Sequence, residues 1–244
     1  MRLYGLIGKK LSHSFSKKYF TNKFREEQLD YCRYELFELQ NINEVNKLLE
    51  NEDLRGFNIT IPYKQEILPY LDKLDDSAKS VGAVNVVKII DSGLVGYNSD
   101  YYGFKDSLEK WLPDDSTFKA LVLGTGGASK AVIAALEKLN ISFQLVSRQP
   151  GNKSVISYEE ISPSVLRDYR LIINTTPLGM SPNTDSCPEL DYGQLGESHY
   201  LYDLVYNPEI TLFLQKGMDR KAKTKNGLEM LHLQAEKSWE IWNS

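Results

Sequence analysis

Cysteine is nearly absent from this chain. Cys32 and Cys187 stand far apart and belong to no CxxC or Cys/His spacing, so neither a disulfide framework nor a metal site is suggested, and a reducing compartment fits. Long apolar runs are missing too. No stretch approaches the ~18 residues of a membrane span, and the opening MRLYGLIGKKLSHS lacks the apolar h-region of a secretory signal. The expectation is a cytoplasmic protein with no membrane partner. Positive charge is not in excess either: 29 Lys and Arg against 33 Asp and Glu leave a net charge of −4, which offers no field to gather nucleic acid. No internal repeat or low-complexity tract appears. What is present, 244 residues with 41% hydrophobic and 25% charged side chains, is enough for one large domain or two modest ones acting on a small molecule.

Another absence lies inside the stretch that organises the chain. Phe118 to Leu123 is a short apolar run, followed at once by Gly124-Thr125-Gly126-Gly127-Ala128-Ser129 and then by a helical pattern through Leu139. Strand, glycine turn and helix in that order are the context of a dinucleotide-binding turn, in which the backbone approaches a pyrophosphate and the helix N-terminus offers unpaired N–H groups. Gly124 and Gly126 hold their places in GxGxxG, while Ser129 stands where the third glycine would be. The next strand, Ile141 to Val146, ends in Ser147-Arg148 with Lys153 close behind, and no Asp or Glu occurs between Glu137 and Glu159. A site for NAD wants an acid there to hold the ribose hydroxyls. A guanidinium suits a 2′-phosphate instead, which favours NADP, although Arg148 could equally be a solvated loop charge.

Earlier in the chain, Leu3 to Gly8 reads as a strand that breaks into a loop carrying His13-Ser14-Phe15-Ser16. These hydroxyls could bond a polyol or carboxylate, and Ser16 could instead cap a helix beginning near Lys17. Tyr31 to Leu39 reads as a strand, Asn43 to Asn51 as a helix, and Leu54 to Ile61 as a strand. The last runs into Pro62-Tyr63-Lys64, which places Lys64 at a strand's carboxyl end; a lone lysine is ordinarily a solvated charge. Val86 to Ile90, a turn at Asp91-Ser92-Gly93, and Leu94 to Tyr97 form a hairpin pattern. Asp100 opens the helix that follows, as its N-cap or as a chemical group. Pro113-Asp114-Asp115-Ser116 reads as a linker, with a boundary near residues 101–115.

Beyond the turn at Pro150-Gly151-Asn152 and a weaker region, Leu171 to Asn174 and Tyr200 to Val205 are buried-type strands. The first ends in Thr175-Thr176-Pro177, on the same face as the glycine turn if the sheet is parallel. Thr211 to Met218 reads as a helix and Lys221 to Thr224 as a last strand. Asn226 can cap a final helix with Leu228, Leu231, Ala235 and Trp242 on one face; Gln234, beside Leu231, could be a boundary residue only.

These pieces resemble the shikimate dehydrogenase family over nearly the whole chain. The resemblance rests on HSFS at 13–16, NITIPYK at 58–64, GAVN at 82–85, NSDYYG at 98–103, GTGGAS at 124–129, VSR at 146–148, NTTPLGM at 174–180 and NGLEMLHLQA at 226–235, in that order. It implies an NADPH-dependent reduction of 3-dehydroshikimate to shikimate on the way to aromatic amino acids. It also implies that Ser14, Ser16, Thr60, Asn85 and Gln234 hold the substrate together with Lys64 and Asp100, and that Tyr206 and Gly227 line the substrate and nicotinamide region. On the cofactor side it implies Gly124, Gly126, Gly127, Ala128, Ser147, Arg148 and Thr175. Hydride arriving at a ketone leaves charge on oxygen, so a donor must reach that oxygen. Lys64 is the candidate, oriented by Asp100. The chain departs from the family at Thr125, Ser129, Gln149 and Pro150.

The expected architecture is two α/β domains. Residues 1–100 with a returning helix 225–244 would bind substrate, and 101–224 would form a Rossmann-like doubly wound parallel sheet for NADP. Monomer and homodimer both remain open. Two rival readings are a quinate/shikimate dehydrogenase using NAD and a non-catalytic NADP-binding regulator.

Overall fold

The computed structural model describes residues 1–12, 14–114, 117–151 and 154–244. His13, Asp115, Ser116, Asn152 and Lys153 lie outside the described residues, and with them parts of the HSFS motif, of the linker, of the turn after Pro150 and of the basic pair Arg148/Lys153. By contacts the chain divides into two units, Met1–Tyr102 with Gln234–Ser244, and Gly103–Leu233.

The first unit is built on β1 (Arg2–Gly8), α1 (Phe15–Glu26), β2 (Cys32–Glu38), α2 (Val45–Leu49), β3 (Leu54–Ile59), α3 (Tyr63–Glu66), β4 (Lys73–Leu74), α4 (Asp76–Val81), β5 (Val86–Ile90) and β6 (Gly93–Tyr97). Its six-stranded sheet has the order β2-β1-β3-β5-β6-β4. β2, β1 and β3 run parallel, and β5 and β6 return antiparallel as the hairpin turn at Gly93 requires. One face carries Ile7, Phe57, Ile59, Tyr63 and Ile67. The other carries Tyr4, Phe20, Phe24 and Tyr34 with Ala235, Ile241 and Trp242 of the last helix. The expected helix at 43–51 is shorter than its apolar pattern, a single 3-10 turn at Ile42–Glu44 running into α2.

α5 (Ser99–Trp111) leads into the second unit: β7 (Lys119–Leu123), α6 (Gly127–Lys138), β8 (Ser142–Val146), β9 (Val155–Ile156), α7 (Pro163–Asp168), β10 (Leu171–Asn174), β11 (Tyr200–Asp203), α8 (Leu212–Met218), β12 (Lys223–Lys225) and α9 (Leu228–Asn243). All six strands are parallel, in the order β12-β11-β10-β7-β8-β9. The chain progresses from β7 to β8 and β9 on one side, then returns to place β10 on β7's other side. That reversal is the switch point of a doubly wound sheet, outside whose carboxyl ends ligands bind. Leu121, Ile172 and Leu201 are fully buried, as strands covered on both faces require.

α9 returns to the first unit, but its buried face differs from the expected one. Met230, Ala235, Ser238, Ile241 and Trp242 are buried, whereas Leu228 is 39% exposed. Asn226 Oδ1 accepts the Leu228 N–H at 3.1 Å, so the helix begins where its capping residue places it.

Candidate active site

Register decides which residues of the first unit share an edge. Gly8 and Ile59 end parallel strands, Val86 opens β5 opposite Asn58, and Tyr97 closes β6 opposite Val86. The segments beyond those four points therefore emerge at one edge of the sheet. Ser14 and Ser16 follow β1, Thr60 and Lys64 follow β3, Asn85 precedes β5, and Asp100 follows β6. Residues scattered over 87 positions, from 14 to 100, are gathered by strand direction alone.

Lys64 and Asp100 meet within that group. Nζ lies 2.5 Å from Asp100 Oδ2, with side chains 31% and 18% exposed. An ammonium has three donors, so one carboxylate oxygen leaves two for a ligand. The lysine's backbone is held on both sides: Tyr63 is buried with its hydroxyl on Leu39 O at 2.7 Å, and Lys64 O accepts the Val84 N–H at 2.8 Å.

Capping departs from expectation at α1, and at α5 it decides between the two readings of Asp100. Ser14, not Ser16, caps α1, accepting the Lys17 N–H at 3.3 Å. Capping uses an oxygen lone pair, so the Ser14 hydroxyl keeps its proton to donate. Ser16 lies in the first turn of α1. At α5, Asn98 Oδ1 takes the Tyr101 N–H at 3.1 Å. Asp100 is thereby free of capping and available to Lys64.

In the same unit lies a buried polar layer of motif residues, joined by Ser77 and Ser238, which no sequence pattern singled out. Ser99 donates its N–H to Asn85 Oδ1 at 2.6 Å, and Asn85 Nδ2 donates to Ser99 Oγ at 3.1 Å. Asn58 Nδ2 donates to Asn85 O at 3.2 Å and to Ser238 Oγ at 3.0 Å, while its Oδ1 accepts the Tyr34 hydroxyl at 2.8 Å. Asn98 Nδ2 reaches Ala83 O at 2.9 Å, and its N–H reaches Ser77 Oγ at 3.0 Å. Asn85, Asn98, Ser99, Ser77 and Ser238 are each 5% exposed or less. Gln234 lies half-buried on α9, four residues before Ser238.

In the second unit the carboxyl ends of β7, β8, β10 and β11 are level, with Leu123 opposite Val146 and Asn174, and Asn174 opposite Asp203. Gly124 adopts φ +102°, and a Cβ there would meet Thr175 and Thr176 below 3 Å, so only glycine suits the turn. Gly126 is the N-cap of α6 and Gly127 its first residue. A Cβ at either would meet nothing within 4 Å, and Ala128 beside them is exposed. The open helix N-terminus, with no acid in its first turn, is a cradle for a phosphate. Ser147 Oγ accepts the Gln149 N–H at 3.2 Å, turning the chain so that Arg148 is exposed at the end of β8. Thr175 ties its hydroxyl to Leu123 O at 2.7 Å. Tyr206 is 39% exposed, and the Gly227 N–H donates to Val205 O at 3.3 Å.

Comparison with known proteins identifies the family. Residues 6–87 match the model of the shikimate dehydrogenase substrate binding domain. The chain is 42% identical over 254 residues to the shikimate dehydrogenase (NADP(+)) of Clostridium beijerinckii, covering 99% of this chain and 92% of the relative. The chain belongs to the shikimate dehydrogenase family. Among solved structures, a chorismate mutase/shikimate 5-dehydrogenase fusion protein from Clostridium acetobutylicum superposes with TM-score 0.88 at 35% identity, covering 100% of this chain and 91% of that one. A shikimate dehydrogenase in complex with NADP+ superposes with TM-score 0.83 at 30% identity, covering 99% and 90%.

One departure from the family's motifs has a local explanation. Ser129, in place of the third glycine, is 2% exposed and turns its hydroxyl back onto Gly126 O at 2.7 Å, so the extra atoms brace the turn from inside. Below the Thr175-Thr176 loop, Asn174 Oδ1 accepts both the N–H and the hydroxyl of Thr176, and its Nδ2 donates to Asp203 Oδ1 at 2.9 Å. Val205 N–H and the Thr211 hydroxyl also donate to Asp203. Burial still pushes that carboxyl up to about 6, because desolvation outweighs the three donors. Sequence signals for this support were slight: an Asn and an Asp each closing an apolar strand.

Proposed function

We propose that this chain is an NADP-dependent shikimate dehydrogenase that reversibly reduces 3-dehydroshikimate to shikimate, and that residues 1–100 with helix 225–244 bind the substrate while 101–224 bind NADP. The observation that carries the chemistry is the Lys64–Asp100 pair at 2.5 Å, set on the edge that also receives Ser14, Ser16, Thr60 and Asn85. Lys64 donates a hydrogen bond to the ketone oxygen and then a proton as charge develops there. Being 31% exposed, it regains that proton from water. Asp100 holds the amine in place and accepts from the neighbouring hydroxyl. Ser14 and Ser16 offer hydroxyls to the carboxylate, Thr60 its hydroxyl and Asn85 its remaining amide N–H to the ring oxygens, with Gln234 and Tyr206 completing the substrate set.

The residues of the second unit fit NADP. Gly124, Gly126, Gly127 and Ala128 leave the α6 N-terminus clear for the pyrophosphate, Ser147 and Arg148 take the 2′-phosphate, and Thr175 and Gly227 lie at the carboxyl ends where the nicotinamide half would extend. When bound, NADPH supplies the hydride. A small-molecule substrate, a cytoplasmic location and a monomer or homodimer accompany this reading.

Initial rates with shikimate and quinate, each with NADP+ and NAD+, test it. Shikimate with NADP+ is expected to give the highest kcat/KM; faster quinate oxidation with NAD+ would overturn the assignment. Arg148→Gln is expected to lower kcat/KM for NADP+ by about ten- to a hundred-fold, the worth of charge-assisted phosphate contacts, while leaving NAD+ nearly unaffected. An equal loss with both cofactors would place Arg148 elsewhere than at the 2′-phosphate.

A further inference from the structure

The substrate-facing side chains of the first unit are joined from behind by hydroxyls that the proposed function does not use. Ser238 Oγ donates to Gln234 O at 2.8 Å and is placed to donate to Ser99 Oγ at 3.3 Å, its one proton shared between the two. Ser99 Oγ also accepts from Asn85 Nδ2 at 3.1 Å. Asn85 cannot be turned the other way, because its Oδ1 faces the Ser99 N–H at 2.6 Å. Asn85, Ser99, Ser238 and the Gln234 carbonyl therefore form one connected set. Asn58 gives its second Nδ2 contact to the same Ser238 oxygen at 3.0 Å. Asn58 also holds the Asn85 backbone carbonyl with Nδ2 at 3.2 Å, and at its other end it accepts from the Tyr34 hydroxyl at 2.8 Å.

We infer that Tyr34 and Ser238 are positioning residues for the substrate: through Asn58 and Ser99 their hydroxyls hold the backbone carbonyl and the amide of Asn85. This rests on the proposed substrate role of Asn85. Tyr34 is 2% exposed and Ser238 1%, so neither touches substrate. Deleting either leaves a buried polar atom of its neighbour unpaired, whose cheapest remedy is a rotation that shifts Asn85. Ser99, in the middle of the set, directly precedes Asp100, so the same bonds steady the first turn of α5 that carries the carboxylate.

Tyr34→Phe is the cleaner variant, since it removes one oxygen and keeps the ring stacked on Phe20 at 4.6 Å between centroids. Tyr34→Phe and Ser238→Ala are each expected to raise KM for shikimate about five- to thirty-fold, on the scale of one buried bond lost. KM for NADP+ should stay unchanged, and kcat should fall less than KM rises. Because Tyr34 acts through Asn85, adding Tyr34→Phe to an Asn85→Ala background is expected to change KM for shikimate no further. Parent-like KM in Tyr34→Phe, or full additivity with Asn85→Ala, would overturn the inference, as would a lowered melting temperature with kinetics of the folded enzyme unchanged. A parent protein without shikimate oxidation would instead strike at the proposed function, so the two failures are told apart by the parent's own rate.

Discussion

Lys64→Ala is expected to lower kcat for shikimate oxidation by about 10²- to 10⁴-fold, the usual contribution of a positioned general acid–base, with NADP+ affinity nearly unchanged. The amine is the only cation paired with Asp100, at 2.5 Å, among the described residues. Removing it takes away both the proton donor and the charge facing the developing alkoxide. It also leaves a half-buried carboxylate beside the reacting oxygen, which opposes negative charge there and adds to the loss. Cofactor affinity is spared because the glycine turn and Arg148 lie on a different sheet. Steady-state rates together with direct titration of NADP+ binding separate the two quantities. Turnover close to the parent's would remove the amine from the mechanism, and with it the strongest reason to prefer an enzyme over a non-catalytic NADP-binding regulator; family membership would stand either way.

Strands bounded by strong turn signals were legible to the residue. Val86–Ile90 lies between GAVN and Asp91-Ser92-Gly93, and Leu171–Asn174 runs into Thr-Thr-Pro; both match β5 and β10. Two-residue strands were not. β4 and β9 exist because Lys73–Leu74 and Val155–Ile156 find partners in β6 and β8, and two residues carry no period. The caps were misplaced for a different reason. Ser14 and Ser16, like Asn98 and Asp100, are rival cappers two residues apart, and local chemistry cannot rank them. A tertiary partner decides the second pair: Lys64 engages Asp100, leaving Asn98 to the helix end.

The same limit governs the site. Lys64 and Asp100 were legible as candidates through motif order, and the glycine turn through its strand–turn–helix context. The supporting residues were not, because Asn58 and Ser238 meet across 180 positions and a serine in a helix announces nothing. Gly56 is a similar case. It reads as a weak point in a strand, yet a Cβ there would lie 2.4 Å from Trp242, so its smallness is a seat for the last helix.

Trp242→Ala is accordingly expected to be the most destabilising single change in the first unit, costing about 3–5 kcal/mol as buried aromatic truncations do. The ring is 6% exposed, stacks on Tyr4 at 4.8 Å and sits 5.4 Å from Phe20. Its Nε1–H donates to Val87 O at 3.0 Å. Collapse cannot fill the space, since Gly56 has no side chain to move in and the neighbouring rings are held by the sheet. At about 2–4 °C per kcal/mol for a chain of this size, melting should fall by about 6–20 °C. The substrate side should register it too, because α9 carries Ser238 one turn before Trp242 and Gln234 one turn before that. At temperatures where the variant is still folded, KM for shikimate should rise while KM for NADP+ holds. Melting at the parent temperature would show that the indole does not anchor α9, and that the bare strand at Gly56 serves something other than its docking.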